Sequence, residues 1–215
     1  MAISKGGQSW EFSNCLMIVA HPDDEILWAG GLMLLHPQTR WTVITLTRKS
    51  DADRAAKFNN VMKHLGAKGI MGDLDDGPEQ KPLAEKEIRK TIAGLLPMDK
   101  FDLILTHSRW GEYTRHIRHE EVSRAVLAMH TTGELPGKLI WMFSYEDGGG
   151  KYLPKISRDA DIQIWLPEPT WKDKYAIITQ MYGFAADSFE AKCCPKQEGF
   201  WQLGNAAPVK PGVKK

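Results

Sequence analysis

His21, Asp23, Asp24 and Glu25 fall together in the run Ala20-His21-Pro22-Asp23-Asp24-Glu25. An imidazole and several carboxylates at this density suit a divalent ion and an activated water better than they suit a solvated loop. A second group, His116-x-x-His119, begins about 95 residues further on. His21 and Asp24 are three positions apart, as are His116 and His119. At a strand-to-helix junction that spacing turns two side chains the same way. A catalytic zinc takes three protein ligands and keeps one position for water. His21, Asp24 and one histidine of the second pair make such a set. Asp23 is then available to take a proton from the water. The remaining histidine, protonated, would stabilise an oxyanion and protonate a leaving amine. Spacing does not choose between His116 and His119. Asp23 also has a competing use as the N-cap of the next helix.

These residues need a scaffold that brings two distant segments together, and the patterning provides one. Strands are expected at Leu16 to Ala20, Trp41 to Thr47, Lys68 to Met71, Phe101 to Thr106, Leu139 to Tyr145 and Asp161 to Leu166. Helices are expected over residues 24–35, Asp51 to Leu65, Glu85 to Leu96, Ile117 to Met129 and Thr170 to Tyr182. Strands alternating with helices of this length predict an α/β, Rossmann-like fold, a mainly parallel sheet flanked by helices. One domain over 1–215 is expected, with a core from about 12 to 205 and loose ends at 1–10 and 206–215. Ligands in such folds bind at the carboxyl ends of the strands. His21 follows the first strand and the segment from His107 to His119 follows the strand ending at Thr106, so both motifs can share one crevice.

Composition narrows the function classes. A net charge of +1 removes the broad basic field that nucleic acid or an anionic membrane would require. No apolar run approaches the roughly 20 residues of a membrane span, and the first residues lack the apolar core of a signal peptide. Three cysteines, two of them the adjacent Cys193 and Cys194, make no disulfide framework, so a reducing, cytoplasmic setting is expected. No G-x-G-x-x-G follows the first strand, which argues against dinucleotide binding.

The His21-to-Glu25 run, together with Thr106-His107-Ser108-Arg109-Trp110-Gly111-Glu112-Tyr113 leading to His116-Ile117-Arg118-His119, resembles the LmbE/PIG-L family of zinc-dependent de-N-acetylases. The resemblance covers roughly residues 15 to 145. It implies His21, Asp24 and His119 as the ligands of one Zn²⁺, Asp23 as general base and His116 as the catalytic histidine. It also implies a substrate contact at Arg54 and a multimeric tendency. Trp110 and Tyr113 are candidates for a sugar platform or for loop packing.

The expected function is a zinc-dependent hydrolase that removes an N-acetyl group from an N-acetylglucosamine-type sugar or its conjugate. The alternative enzyme is a metal-dependent amidase acting on a non-sugar N-acyl or thiol-conjugate amide. A binding module built round a structural ion is a third reading. A structural zinc takes four closed ligands and has no use for the spare Asp23 and histidine, which argues against it.

Overall fold

The computed structural model describes residues 11–114 and 116–203. The expected loose ends, the last positions of the expected core and Arg115 lie outside the described residues.

The first strand, β1 (Asn14–Val19), is buried along its whole length. Its side chains alternate between two layers, as the period of two demands. Cys15, Met17 and Val19 face one apolar layer, and Leu16 and Ile18, followed by Ala20, face the other. A strand buried on both faces is what a central position in a parallel sheet requires.

The remaining units are α1 (Asp24–Leu35), β2 (Arg40–Thr47), α2 (Ala52–His64), β3 (Lys68–Leu74), α3 (Glu85–Leu95), β4 (Phe101–Thr106), α4 (Ile117–Thr131) and β5 (Gly137–Phe143). Then come β6 (Tyr145–Glu146), β7 (Lys155–Ile156), β8 (Ile162–Trp165), α5 (Glu168–Ala176), a π-helical turn Ile177–Met181, α6 (Phe189–Cys193) and β9 (Gln197–Leu203). The main sheet runs β3-β2-β1-β4-β5-β9-β8. Its pairs from β3 to β5 are parallel, while β9 is antiparallel to both β5 and β8. The layer with Met17 takes residues of α1, α2 and the π turn, and the layer with Leu16 takes residues of α3 and α4. The sheet is therefore covered on both faces, as expected. Among the described residues, no helix is long and apolar enough to cross a membrane.

The carboxyl-terminal third departs most from expectation. Strand β9 has no counterpart in the sequence reading, because it carries Glu198 among its buried residues. Glu198 accepts from the Gly31 and Leu32 amides of α1, both at 2.7 Å, and from Lys174 Nζ at 2.7 Å. The Trp28 carbonyl, four residues before Leu32, accepts from Tyr145 Oη at 3.1 Å. Gly31 is required at this crossing: a Cβ there would lie 2.3 Å from Leu166 and 2.9 Å from the Glu198 carboxylate. The expected helix from Thr170 to Tyr182 is α5 followed by the π turn, closed by a Tyr182 amide bond to the Ile177 carbonyl of 2.9 Å.

Candidate active site

Strands β1 and β4 are neighbours, and β2 lies on the other side of β1. The chain order reverses there, which opens a crevice at the carboxyl ends of the strands. Ala20, just past β1, is pinned. Its carbonyl accepts from Thr45 Oγ1 (3.1 Å), Thr47 Oγ1 (2.9 Å) and the Thr47 amide (3.2 Å). Its amide donates to His107 Nε2 at 2.9 Å. The residue that follows, His21, is thereby held at the mouth of the crevice.

His21, Asp24 and His119 converge. His21 Nδ1 is 3.1 Å from Asp24 Oδ2, His119 Nε2 is 3.4 Å from Asp24 Oδ1, and His119 Nε2 is 3.3 Å from His21 Nδ1. Ligands about 2.0–2.1 Å from a tetrahedral zinc stand roughly 3.3 Å apart, so the donor types and their spacing both fit such an ion. With one ligating atom taken from each residue, two combinations lie within 4.8 Å of one another: His21 with His116 and His119, and Asp24 with His107 and His119.

The groups behind the three histidines of the first combination separate them. His21 Nε2 is 3.1 Å from Asp76 Oδ1, and Arg48 clamps the other Asp76 oxygen through Nε (3.0 Å) and a terminal nitrogen (2.7 Å). His119 Nδ1 is 2.6 Å from Glu112 Oε2. A carboxylate that accepts from the outer nitrogen fixes the tautomer and leaves the inner nitrogen's lone pair for a metal. His116 has no such backing, and its buried Nδ1 finds no hydrogen-bond partner among the described residues.

His107 serves this arrangement from behind. Its Nδ1 is 2.9 Å from Glu112 Oε2, and its Nε2 accepts from the Ala20 amide. Burial disfavours charge on this ring, but the Glu112 and Asp24 carboxylates outweigh it and raise its pKa to about 9; against that stands the Ala20 N–H that Nε2 accepts. A doubly protonated ring would turn an N–H against the Ala20 amide, so the hydrogen bonds fix the neutral Nδ1–H form. Glu112 also accepts from the Ser108 amide at 2.9 Å. Burial would raise its pKa, but the His107 and His119 rings outweigh burial and hold it near 2. Sequence reasoning quoted Glu112 only as part of a motif and gave it no role. The signal was its place five residues after His107 and seven before His119. Trp28 Nε1, which donates to Asp24 Oδ1 at 3.1 Å, carried no sequence signal.

Asp23 is not an N-cap of the ordinary kind, since its side chain makes no cap hydrogen bond. Its carboxylate instead accepts from Arg54 at 3.1 Å, and its backbone sits at φ 125°. A non-glycine residue in that region is strained and persists only when its surroundings hold it. Its amide donates to Glu25 Oε2 at 3.0 Å, and Tyr182 Oη donates to Glu25 Oε1. Burial, and then the neighbouring Asp24 charge, push the Asp23 carboxyl well above the usual carboxylate range, while His21 and Arg54 pull it back. Burial acts the same way on Asp24, but the His119 and His107 rings reverse the outcome and keep it well below that range. Two adjacent aspartates are thus driven apart in basicity, the pattern expected where one is a base and the other a ligand.

His116 lies 4.5 Å from the His21 ring and 4.4 Å from the His119 ring, centre to centre. Burial first, and then the His119 and His21 rings, lower its pKa to about 3. These surroundings disfavour the protonated form expected of His116. Tyr113 borders the same group, 5.9 Å from the His116 ring and 5.0 Å from Phe189 of α6. Arg54 is engaged with Asp23 and lies 4.8 Å over the Phe184 ring. Trp110 packs edge-on against Trp201 of β9 at 5.9 Å.

Known proteins share the fold and part of the sequence. The chain is 26% identical over 139 residues to the uncharacterized protein L374 of Acanthamoeba polyphaga mimivirus, a match taking in 57% of this chain and 60% of that one. The N,N'-diacetylchitobiose deacetylase of Pyrococcus horikoshii shares the fold with a TM-score of 0.67 at 16% identity, over 90% of this chain and 84% of that chain. The 4-carboxy-2-hydroxymuconate hydratase GalB of Pseudomonas putida KT2440 shares it at 0.59 and 14% identity, over 94% and 100%. A zinc-inhibited form of teicoplanin deacetylase Orf2 shares it at 0.55 and 14% identity, over 79% and 84%. Residues 16–130, which contain His21, Asp23, Asp24, Arg54, Glu112, His116 and His119, match the GlcNAc-PI de-N-acetylase family, PIG-L. The chain belongs to that family.

Proposed function

We propose that the protein is a zinc-dependent de-N-acetylase acting on an N-acetylglucosamine-type amino sugar or its conjugate. The observation that carries this reading is the convergence of His21 Nδ1 and His119 Nε2, 3.3 Å apart, on the two oxygens of Asp24, Oδ2 at 3.1 Å from the first and Oδ1 at 3.4 Å from the second, beside a strained and separately anchored Asp23. His21, Asp24 and His119 hold the ion. A Zn²⁺ there supplies Lewis acidity for a water and for the acyl oxygen.

The chain's own residues do the rest. Asp23 takes the water proton, and its raised pKa suits a base that must later release it. Arg54 keeps the Asp23 carboxylate aimed while it is ionised. The neutral His116 donates an N–H to the oxygen that becomes negative as the acyl carbon turns tetrahedral. As the carbon–nitrogen bond breaks, the proton gathered by Asp23 passes to the leaving amine. The products are a free amine and acetate. Tyr113, 5.9 Å from the His116 ring, is the group proposed to contact the sugar, and Arg54 the group proposed to contact one of its hydroxyls. Trp110, stacked edgewise on Trp201, shapes the loop.

The deacetylases of N,N'-diacetylchitobiose and teicoplanin share this fold, and the first substrate is by name an N-acetylated sugar. A hydratase shares it too, so the reaction is argued from the side chains and not from the fold. A non-sugar N-acyl or thiol-conjugate amide is the second reading. It is favoured by the engagement of Arg54 and Trp110, two of the three expected sugar contacts, with Asp23 and Trp201.

The test is bound metal together with amine release from a panel of N-acetylglucosaminyl compounds. Release that a chelator abolishes and Zn²⁺ restores supports the proposal. Stoichiometric zinc without release from any sugar moves the assignment to the second reading. Asp23→Asn should keep the metal and lower kcat by at least ~100-fold; loss of metal from that variant would overturn the role of Asp23.

A further inference from the structure

Asp23 is gripped from two sides by one short segment of the carboxyl-terminal third. On the backbone side, its amide donates to Glu25 Oε2, and the other Glu25 oxygen accepts from Tyr182 Oη. On the carboxylate side, its partner Arg54 lies over the Phe184 ring. Tyr182 and Phe184 follow directly on the π turn Ile177–Met181. A π turn adds a residue to the helical ladder and rotates whatever comes next. Continuing α5 as an ordinary helix would carry Tyr182 to a different bearing. Tyr182 and Glu25 are buried, at 2% and 0% exposure, so this contact is not a surface accident. Both oxygens of Glu25 are used, one by the strained residue and one by the tyrosine.

We propose that Tyr182 is a positioning residue for the reaction: through Glu25 it holds the Asp23 backbone at its unusual φ and so aims the base. Tyr182 touches neither the metal ligands nor the substrate in this scheme. It acts because a base displaced by about 1 Å can lose ~100-fold in rate. This inference rests on the assignment of Asp23 as base, and it can fail separately from that assignment.

The variant is Tyr182→Phe, which removes one oxygen and keeps the ring. It should retain stoichiometric zinc, since none of the three ligands is touched. Two readouts are needed, one of them independent of turnover. The Asp23 amide should exchange with solvent deuterium at least ~10-fold faster in the variant, because its acceptor is no longer anchored. The amide of Phe101, which bonds to the Pro136 carbonyl far from Asp23, serves as an internal control. With N,N'-diacetylchitobiose or the best compound of the panel, kcat should fall ~10- to 100-fold while KM stays within about 2-fold. In an Asp23→Asn background the same substitution should have no further effect on the residual rate, since Tyr182 acts only through Asp23.

Unchanged exchange at Asp23 overturns the proposal, whatever the turnover. So does a Tyr182→Phe loss that multiplies with that of Asp23→Asn, since it would place Tyr182 elsewhere in the mechanism. Full activity in Asp23→Asn itself would remove the base assignment instead. The exchange measurement would then still decide whether Tyr182 anchors this backbone. Glu25→Gln, which keeps an oxygen for the Asp23 amide, should fall between wild type and Tyr182→Phe in both readouts; equality with wild type in both would also refute the chain of contacts.

Discussion

Glu112→Gln isolates the orientation of a metal ligand from the ligand itself. Glu112 is fully buried and receives three N–H groups: His107 Nδ1 and His119 Nδ1 on Oε2, and the Ser108 amide on Oε1. Glutamine offers one oxygen and one NH₂ in the same volume. With the oxygen under the two imidazoles, the NH₂ faces the Ser108 amide and a buried donor is stranded, at about 1–3 kcal/mol. With the amide flipped, both imidazoles lose their acceptor. His119 can then carry its proton on Nε2, the atom that faces His21 and Asp24. Metal affinity should fall ~10- to 100-fold, or about 1.4–2.7 kcal/mol. Competition with a chromophoric zinc chelator measures this directly. The metal-stripped variant should also melt roughly 3–10 °C below the metal-stripped parent, from 1–3 kcal/mol in a chain of this size. A folded variant whose zinc Kd stays within about 3-fold of the parent would refute the claim that Glu112 orients His119.

Other substitutions test neighbouring parts of the argument. His119→Ala should lose bound zinc, whereas His116→Ala should keep it and lower kcat by at least ~100-fold; metal analysis beside steady-state kinetics would show an exchange of roles if the outcomes are reversed. Arg54→Met removes a cation that pulls the Asp23 pKa down. The base then needs a higher pH to ionise, so the acid limb of the kcat/KM profile should move upward; a limb that moves downward or stays fixed contradicts the pairing. Lys174→Met leaves the buried Glu198 carboxylate without its cation and should cost about 3–5 kcal/mol in denaturant unfolding. Adding Glu198→Gln should recover part of that loss, and a neutral Lys174→Met would mean the pair contributes nothing.

The parts of the molecule that could be read from the sequence are those where a local pattern and a global requirement coincide. Phe101–Thr106 and the helix from Asp24 to Leu35 fall where apolar runs, turn residues and Pro37 place them. Both are buried, so their side chains have little freedom to disguise the period. The proposed ligand set was narrowed for a different reason, three-residue spacing at two strand ends, and the choice of His119 over His116 came from the family resemblance and not from the spacing. Strand β9 was not legible, because Glu198 is buried as the acceptor for two helix amides and a lysine. A charge paired across the fold looks in sequence like a charge in solvent. The π turn escaped for a similar reason, since the choice between four- and five-residue bonding is made by where Tyr182 must go. The charge of His116 also depended on neighbours, the rings of His21 and His119, that only the tertiary structure reveals.

The pairing of β1 with β4 also bears on when the site comes into being. His21 and His119 are separated by 98 positions along the chain, and only the long-range register Cys15 to Leu103 through Ile18 to Thr106 brings their loops together. Closing so wide a loop belongs to the slow stage of folding, after local helices and hairpins have formed. The set is not complete until residue 119 has been synthesised and β4 has docked on β1. An ion held by the proposed ligands would therefore arrive at a sheet whose two apolar layers already hold it together, unlike a zinc finger, whose metal drives collapse. Under the proposed function, metal loading would then be a late event, and exchanging one ion for another would not require the chain to refold.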